Sequence, residues 1–201
     1  MTDARSVVLA IEDELSDTVL RRLLAVSARG FQVVRVVMAR GFGQIKAKME
    51  TFATASVAVP HIVLTDLDRH ACVPALKADW QIRAIPPQLS FHVAVREVES
   101  WLLADGQGIA NFLQLPVSKV PTAPEGLTDP KQTLVNLARR SRSRRLRDEL
   151  TPAKGSKALI GPLYNTRLGE FVRTAWDIDY AAAHAPSLRR TLSRLDTFLA
   201  A

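Results

Sequence analysis

Residues 61–68 read His61-Ile62-Val63-Leu64-Thr65-Asp66-Leu67-Asp68, an apolar run of strand length that stops on two acids. Without polar alternation, such a run suits a strand buried on both faces. Working outward, residues 6–11 (SVVLAI) form a second continuous apolar run, and residues 31–38 (FQVVRVVM) and 91–95 (FHVAV) also read as strands. Helical spacing lies between them. Residues 15–28 carry Val19, Leu20, Leu23, Leu24 and Val26 at helical intervals, and Gly30 is expected to cap that helix. Residues 45–54, 72–80 and 97–105 complete the alternation. The βαβαβαβ order predicts an α/β fold: a mainly parallel, Rossmann-like sheet with helices on both faces.

Strand-like runs then cease. A loop rich in Pro, Thr and Lys over residues 116–130 marks the expected boundary between an α/β core (1–115) and a helical C-terminal extension (116–201) packed on it. Within the extension, residues 132–150, 164–176 and 187–199 read as helices, and 151–159 as a loop.

The chain has 201 residues, 47% hydrophobic and 23% charged, values that suit a packed domain and exclude a disordered one. No apolar run approaches the ~18 residues of a membrane span. The first six residues show no signal-peptide pattern. One cysteine, Cys72, excludes an internal disulfide framework and a Cys-rich zinc site, so the cytoplasm is the expected compartment. The net charge of +7 is uneven. Residues 1–100 hold 12 Lys and Arg against 11 Asp and Glu, whereas residues 101–201 hold 15 against 9. A basic second half suits a polyanionic partner.

Open parallel sheets bind ligands beyond the carboxyl ends of their strands. Three of the four strand ends here deliver acids: Glu12, Asp13 and Glu14, then Asp66 and Asp68, then Glu97 and Glu99. The second ends in Met38-Ala39-Arg40, and Gly41 and Gly43 punctuate the turn that follows. Crowded carboxylates repel one another unless a cation neutralises them, and Mg²⁺ or Mn²⁺ matches hard oxygen donors. Each acid taken singly also suits a helix N-cap or a turn. In an extended segment, Asp66 and Asp68 would lie on one side. At the start of a helix Glu97 and Glu99 would diverge, and Glu97, nearer the strand end, is the expected ligand.

A Glu after the first strand with Asp-x-Asp after the third resembles the TOPRIM domain of topoisomerases, primases and OLD-type nucleases. The resemblance covers residues 6–105. It implies Glu12 as an acid/base or metal-coupled glutamate, and Asp66 and Asp68 as metal ligands. It departs at Asp13, where such domains usually carry Gly. The segments Ile11-Glu12-Asp13-Glu14-Leu15-Ser16 and Leu64-Thr65-Asp66-Leu67-Asp68 also resemble a bacterial family of TOPRIM-like proteins. So do Arg96-Glu97-Val98-Glu99-Ser100-Trp101-Leu102-Leu103-Ala104-Asp105 and the later Ala185-Pro186-Ser187. Members of that family often accompany ATPase partners in defence gene clusters, which implies an ATPase as a partner here.

Arg139, Arg140, Arg142, Arg144, Arg145 and Arg147 place six arginines within nine residues. They suit contact with nucleic-acid phosphates, and equally a solvated helix whose charges pair with Asp148 and Glu149. Of the histidines, His70 beside Asp66-Leu67-Asp68 is the candidate proton carrier. His61 and His92 suit core or edge roles.

The expected activity is metal-dependent phosphodiester chemistry on nucleic acid. A non-catalytic nucleic-acid or partner-binding module is the alternative. A phospho-accepting receiver is a third reading, although it would want a lysine after a fifth strand.

Overall fold

The computed structural model describes residues 5–39 and 42–199. Arg40 and Gly41, the expected end of the second strand segment and the start of its turn, lie outside the described residues. The chain divides into two compact units, one reaching Val95 and resuming at Arg189, the other running from Arg96 to Leu188.

The first unit holds a four-stranded, wholly parallel sheet in the order β2-β1-β3-β4. Its strands are β1 (Arg5–Ile11), β2 (Phe31–Met38), β3 (His61–Asp66) and β4 (Leu89–Ala94). Every residue of β4, and every residue of β3 before Asp66, is buried, which is why neither run alternates.

Helix α1 (Glu14–Val26) starts at Asp13, whose carboxylate accepts from the Ser16 amide at 2.8 Å. That satisfies one of the amides a helix start leaves without an intrahelical partner. The helix ends at Ser27 in extended geometry, so Gly30 is not its cap. Gly30 instead takes φ +64° just before β2, and its carbonyl accepts from the Arg5 amide at the start of β1.

Helices α2 (Phe42–Ala55) and α3 (Val73–Asp79) cover one face of the sheet. Ile45, Met49, Phe52, Leu76 and Trp80 join Ala10, Val63 and Phe91 there in one buried cluster. Helix α1 lies against β1, β2 and β3, with side chains outside that cluster.

The second unit is helical: α4 (Val98–Ala104), α5 (Gly106–Phe112), α6 (Pro130–Arg139), α7 (Arg144–Leu150), α8 (Tyr164–Thr174), α9 (Ile178–His184) and the start of α10 (Pro186–Thr197). Two single 3-10 turns, Val117–Lys119 and Pro124–Gly126, occupy the expected loop.

The single helix expected over 132–150 is two helices. Between them the Ser141 hydroxyl accepts from the Ser143 amide, and Ser143 caps α7 by accepting from the Leu146 amide. Serines offer the backbone such local bonds in place of helix continuation. Helices α5 and α9 stand where no helix was expected. Each begins on an aspartate cap, Asp105 accepting from the Gly108 amide and Asp177 from the Tyr180 amide.

Candidate functional site

The strand order fixes where a ligand would sit. From β1 the chain moves to one side to form β2, then returns across β1 to form β3 on the other. The crevice outside the carboxyl ends of β1 and β3 is therefore the topological switch point of the sheet. Glu12 directly follows β1, and Asp66 is the last residue of β3.

The two ends are joined through side chain and backbone. Glu12 Oε1 accepts from the Asp66 amide at 3.1 Å and from the Thr65 hydroxyl at 2.5 Å. Thr65 is buried, whereas Glu12 and Asp66 are half-buried. One carboxylate oxygen is thus oriented by two donors of the neighbouring strand, at an edge that solvent and ligands reach.

Asp68 is exposed and has φ +49°, in the left-handed region that aspartate tolerates better than most residues. Leu67, between the two aspartates, is buried, and its amide donates to the Ala94 carbonyl, continuing the β3–β4 ladder by one bond. The chain then turns, with the His70 amide donating to the Leu67 carbonyl. The strand alternation that would align the two carboxylates therefore ends at Leu67.

Among the described residues, no three His, Cys, Asp or Glu side chains come close enough to hold a metal ion between them. Mg²⁺ does not require such a cage. It is commonly held by one or two carboxylates, with waters and substrate phosphates completing the shell. Glu12 and Asp66 fit that need as adjacent, half-buried oxygen donors.

Asp13 is occupied as the cap of α1. His70 lies near Asp79, with Nε2 3.3 Å from Oδ2, and its Nδ1 is 3.2 Å from the Leu67 carbonyl oxygen. Lys46 also donates to Asp79, and these bonds, Lys46 first and His70 second, hold the Asp79 carboxyl below its ordinary range. His61 Nδ1 donates to the Val59 carbonyl and serves the chain's local path.

Glu97 and Glu99 belong to the second unit. Glu97 is the residue before α4, and its Oε2 accepts from the Lys131 amide at the start of α6. Glu99 is completely buried. Tyr164 donates its hydroxyl to Glu99 Oε1 at 3.2 Å, and the Lys131 ammonium stands 3.5 Å from the same oxygen. The role of Glu99 as an anchor for three helices could not be read from its neighbours in sequence.

The six arginines divide by their partners. Arg144 pairs with Asp148 and Arg145 with Glu149, while Arg147 donates to the Ser141 carbonyl and Arg139 to Asn136. Arg167 adds two bonds to Glu149; Arg167 first, then Arg145, hold its carboxyl down at about 2. Arg140 and Arg142 are exposed, and their side chains have no hydrogen-bond or ion-pair partner among the described residues.

No helix among the described residues is long and apolar enough to cross a membrane. No family model matches the chain, and no curated protein matches it. Among solved structures, the chain is similar to the C-terminal region of the Burkholderia pseudomallei OLD protein, at TM-score 0.51 and 15% identity. The match covers 98% of this chain and 99% of that one, so the α/β sheet and the helical remainder share that protein's fold.

Proposed function

We propose that the chain carries out Mg²⁺- or Mn²⁺-dependent phosphodiester chemistry on nucleic acid, at the carboxyl edge between β1 and β3. The observation that carries this reading is the bond from the Asp66 amide to Glu12 across the switch point. The fold shared with part of an OLD protein supports it, as does the TOPRIM resemblance of the sequence.

Glu12 and Asp66, with Asp68 on the turn that follows, are the residues that would hold the ion. When bound, it would orient a phosphate, offset charge on the transferring group and make a bound water more acidic. Thr65 and the Asp66 amide fix the direction of the Glu12 carboxylate, so the group that meets the attacking water's proton is positioned before substrate arrives. Arg140 and Arg142 supply phosphate contacts without sequence preference. An ATPase partner enters this proposal through the family resemblance alone.

The non-catalytic binding module remains the second reading, favoured by the exposure of Arg140 and Arg142 and by the lack of a three-ligand cluster among the described residues. The receiver reading gains nothing, because the sheet has four strands among the described residues.

The test is cleavage of plasmid DNA and of single-stranded DNA and RNA with Mg²⁺ or Mn²⁺. Cleavage abolished by a chelator, and lowered at least about 10²-fold in Glu12→Gln, supports the reading. Wild-type protein that binds nucleic acid and leaves it intact supports the binding module.

A further inference from the structure

A cavity lies in the first unit, away from the strand ends that carry Glu12 and Asp66. It has a volume of about 560 Å³ and is bounded by α3, the start of β4 and the end of α10. That volume is within the roughly 300–1,000 Å³ typical of small-molecule sites.

Its lining has a consistent chemistry. Lys77 and Arg194 bring two positive charges, Ser90 and Thr197 bring hydroxyls, and Ile85, Pro87 and Leu199 bring apolar surface. None of the described residues lining it is an Asp or Glu. Neither Lys77 nor Arg194 has an ion-pair partner among the described residues. Arg194 is tethered over the cavity, its guanidinium donating to the Phe91 carbonyl at 3.4 Å.

The Ser90 hydroxyl is oriented from behind. His92 is buried, and its Nε2 lies 2.7 Å from Ser90 Oγ, while its Nδ1 has no hydrogen-bond partner among the described residues. Burial, and then the nearby Arg194 charge, push His92 down to about 3, so the ring is neutral at physiological pH and carries one proton. A buried N–H without a partner costs more than a buried lone pair without one, which places that proton on Nε2. Nε2 therefore donates to Ser90 Oγ, and the hydroxyl proton of Ser90 is left to donate to a ligand.

We propose that this cavity binds a phosphate monoester of mononucleotide size, its phosphate on Lys77, Arg194 and Ser90 and its body against Ile85, Pro87 and Leu199. A phosphate monoester carries a charge of about −1.5 to −2 at pH 7, which matches two uncompensated cations better than a single carboxylate does. Arg194 can also meet two phosphate oxygens at once. The site does not depend on the reading of Glu12 and Asp66.

The experiment is calorimetric titration of AMP, adenosine and inorganic phosphate into the full chain and three variants. AMP is expected to bind wild type at least tenfold more tightly than adenosine or inorganic phosphate does. Lys77→Met and Arg194→Met, each checked for an unchanged melting curve, are expected to weaken AMP at least tenfold. Glu12→Gln/Asp66→Asn is expected to leave it unchanged, which separates this cavity from the strand-end site. Lys77 is half-exposed and its side chain makes no hydrogen bond among the described residues, so Lys77→Met keeps the test valid should Arg194→Met disturb α10. No binding of AMP, binding indifferent to Lys77→Met, or adenosine binding as tightly as AMP would overturn the proposal.

Discussion

Glu12 and Glu99 are the same residue type, each placed near the end of a strand, and the fold uses them in opposite ways. Glu12 stands half-exposed, with one oxygen held by Thr65 and the Asp66 amide. Glu99 is wholly buried against Tyr164 and Lys131. A buried charge survives only when its partners replace the water it has lost. Glu99 therefore belongs to the packing of its unit. A carboxylate oriented at a sheet edge can meet a ligand, and Glu12 has that position.

The sharpest way to break this comparison is to remove each carboxylate and follow stability. Glu99→Ala removes a wholly buried carboxylate together with its bonds to Tyr164 and Lys131, and is expected to cost about 2–4 kcal/mol in denaturant unfolding. Glu12→Ala loses two hydrogen bonds at a half-exposed position and should cost about 1–2 kcal/mol. Equal losses would erase the distinction. Activity should show the reverse pattern. Glu12→Gln keeps the shape of the side chain and is expected to lower cleavage at least about 10²-fold, with the melting temperature nearly unchanged.

A third effect tests whether burial governs the titratable groups of the first unit as well. His92 is held near 3 when folded, against about 6.5 when unfolded. The unfolded chain thus binds the extra proton first. Stability is expected to fall by about 1.4 kcal/mol per pH unit as pH drops below 6.5, until it levels near 3. His92→Gln should flatten that slope in urea titrations between pH 6 and pH 4, and an unchanged slope would assign the acid sensitivity elsewhere. The smallest effect belongs to the arginines. Arg140→Gln and Arg142→Gln should each reduce the salt dependence of nucleic-acid binding by roughly 0.7–0.9 in log–log slope, with stability untouched. Arg144→Gln, whose charge is shared with Asp148, should change it less.

The inner strands were legible because buried parallel strands are written as unbroken apolar runs, as in His61–Asp66 and most of Arg5–Ile11; Phe31–Met38, at the sheet edge with no fully buried residue, carries Gln32 and Arg35 within its run. The acids after β1 and β3 were legible for the same reason, since a strand that stops on Glu12 or Asp66 locates them at one edge. What escaped depended on contacts distant in sequence or on single capping bonds. Glu99 could not be recognised as buried without Tyr164 and Lys131 beside it. The break between α6 and α7 rests on Ser141 and Ser143, which sit among the arginines that suggested one continuous helix. Asp177 caps α9, but the seven-residue IDYAAAH segment is too brief for helical periodicity to register. The cavity beneath α10 joins Lys77 to Arg194, a proximity that only the folded chain supplies.

The central claim is tested most directly by titrating Mg²⁺ and Mn²⁺ into wild type and Asp66→Ala/Asp68→Ala and following heat, first alone and then with a non-cleavable nucleic acid present. The account predicts wild-type binding in at least one condition, lost or strongly weakened in the double variant while the fold persists. Absence of metal binding in both conditions, or binding indifferent to the loss of Asp66 and Asp68, would contradict it.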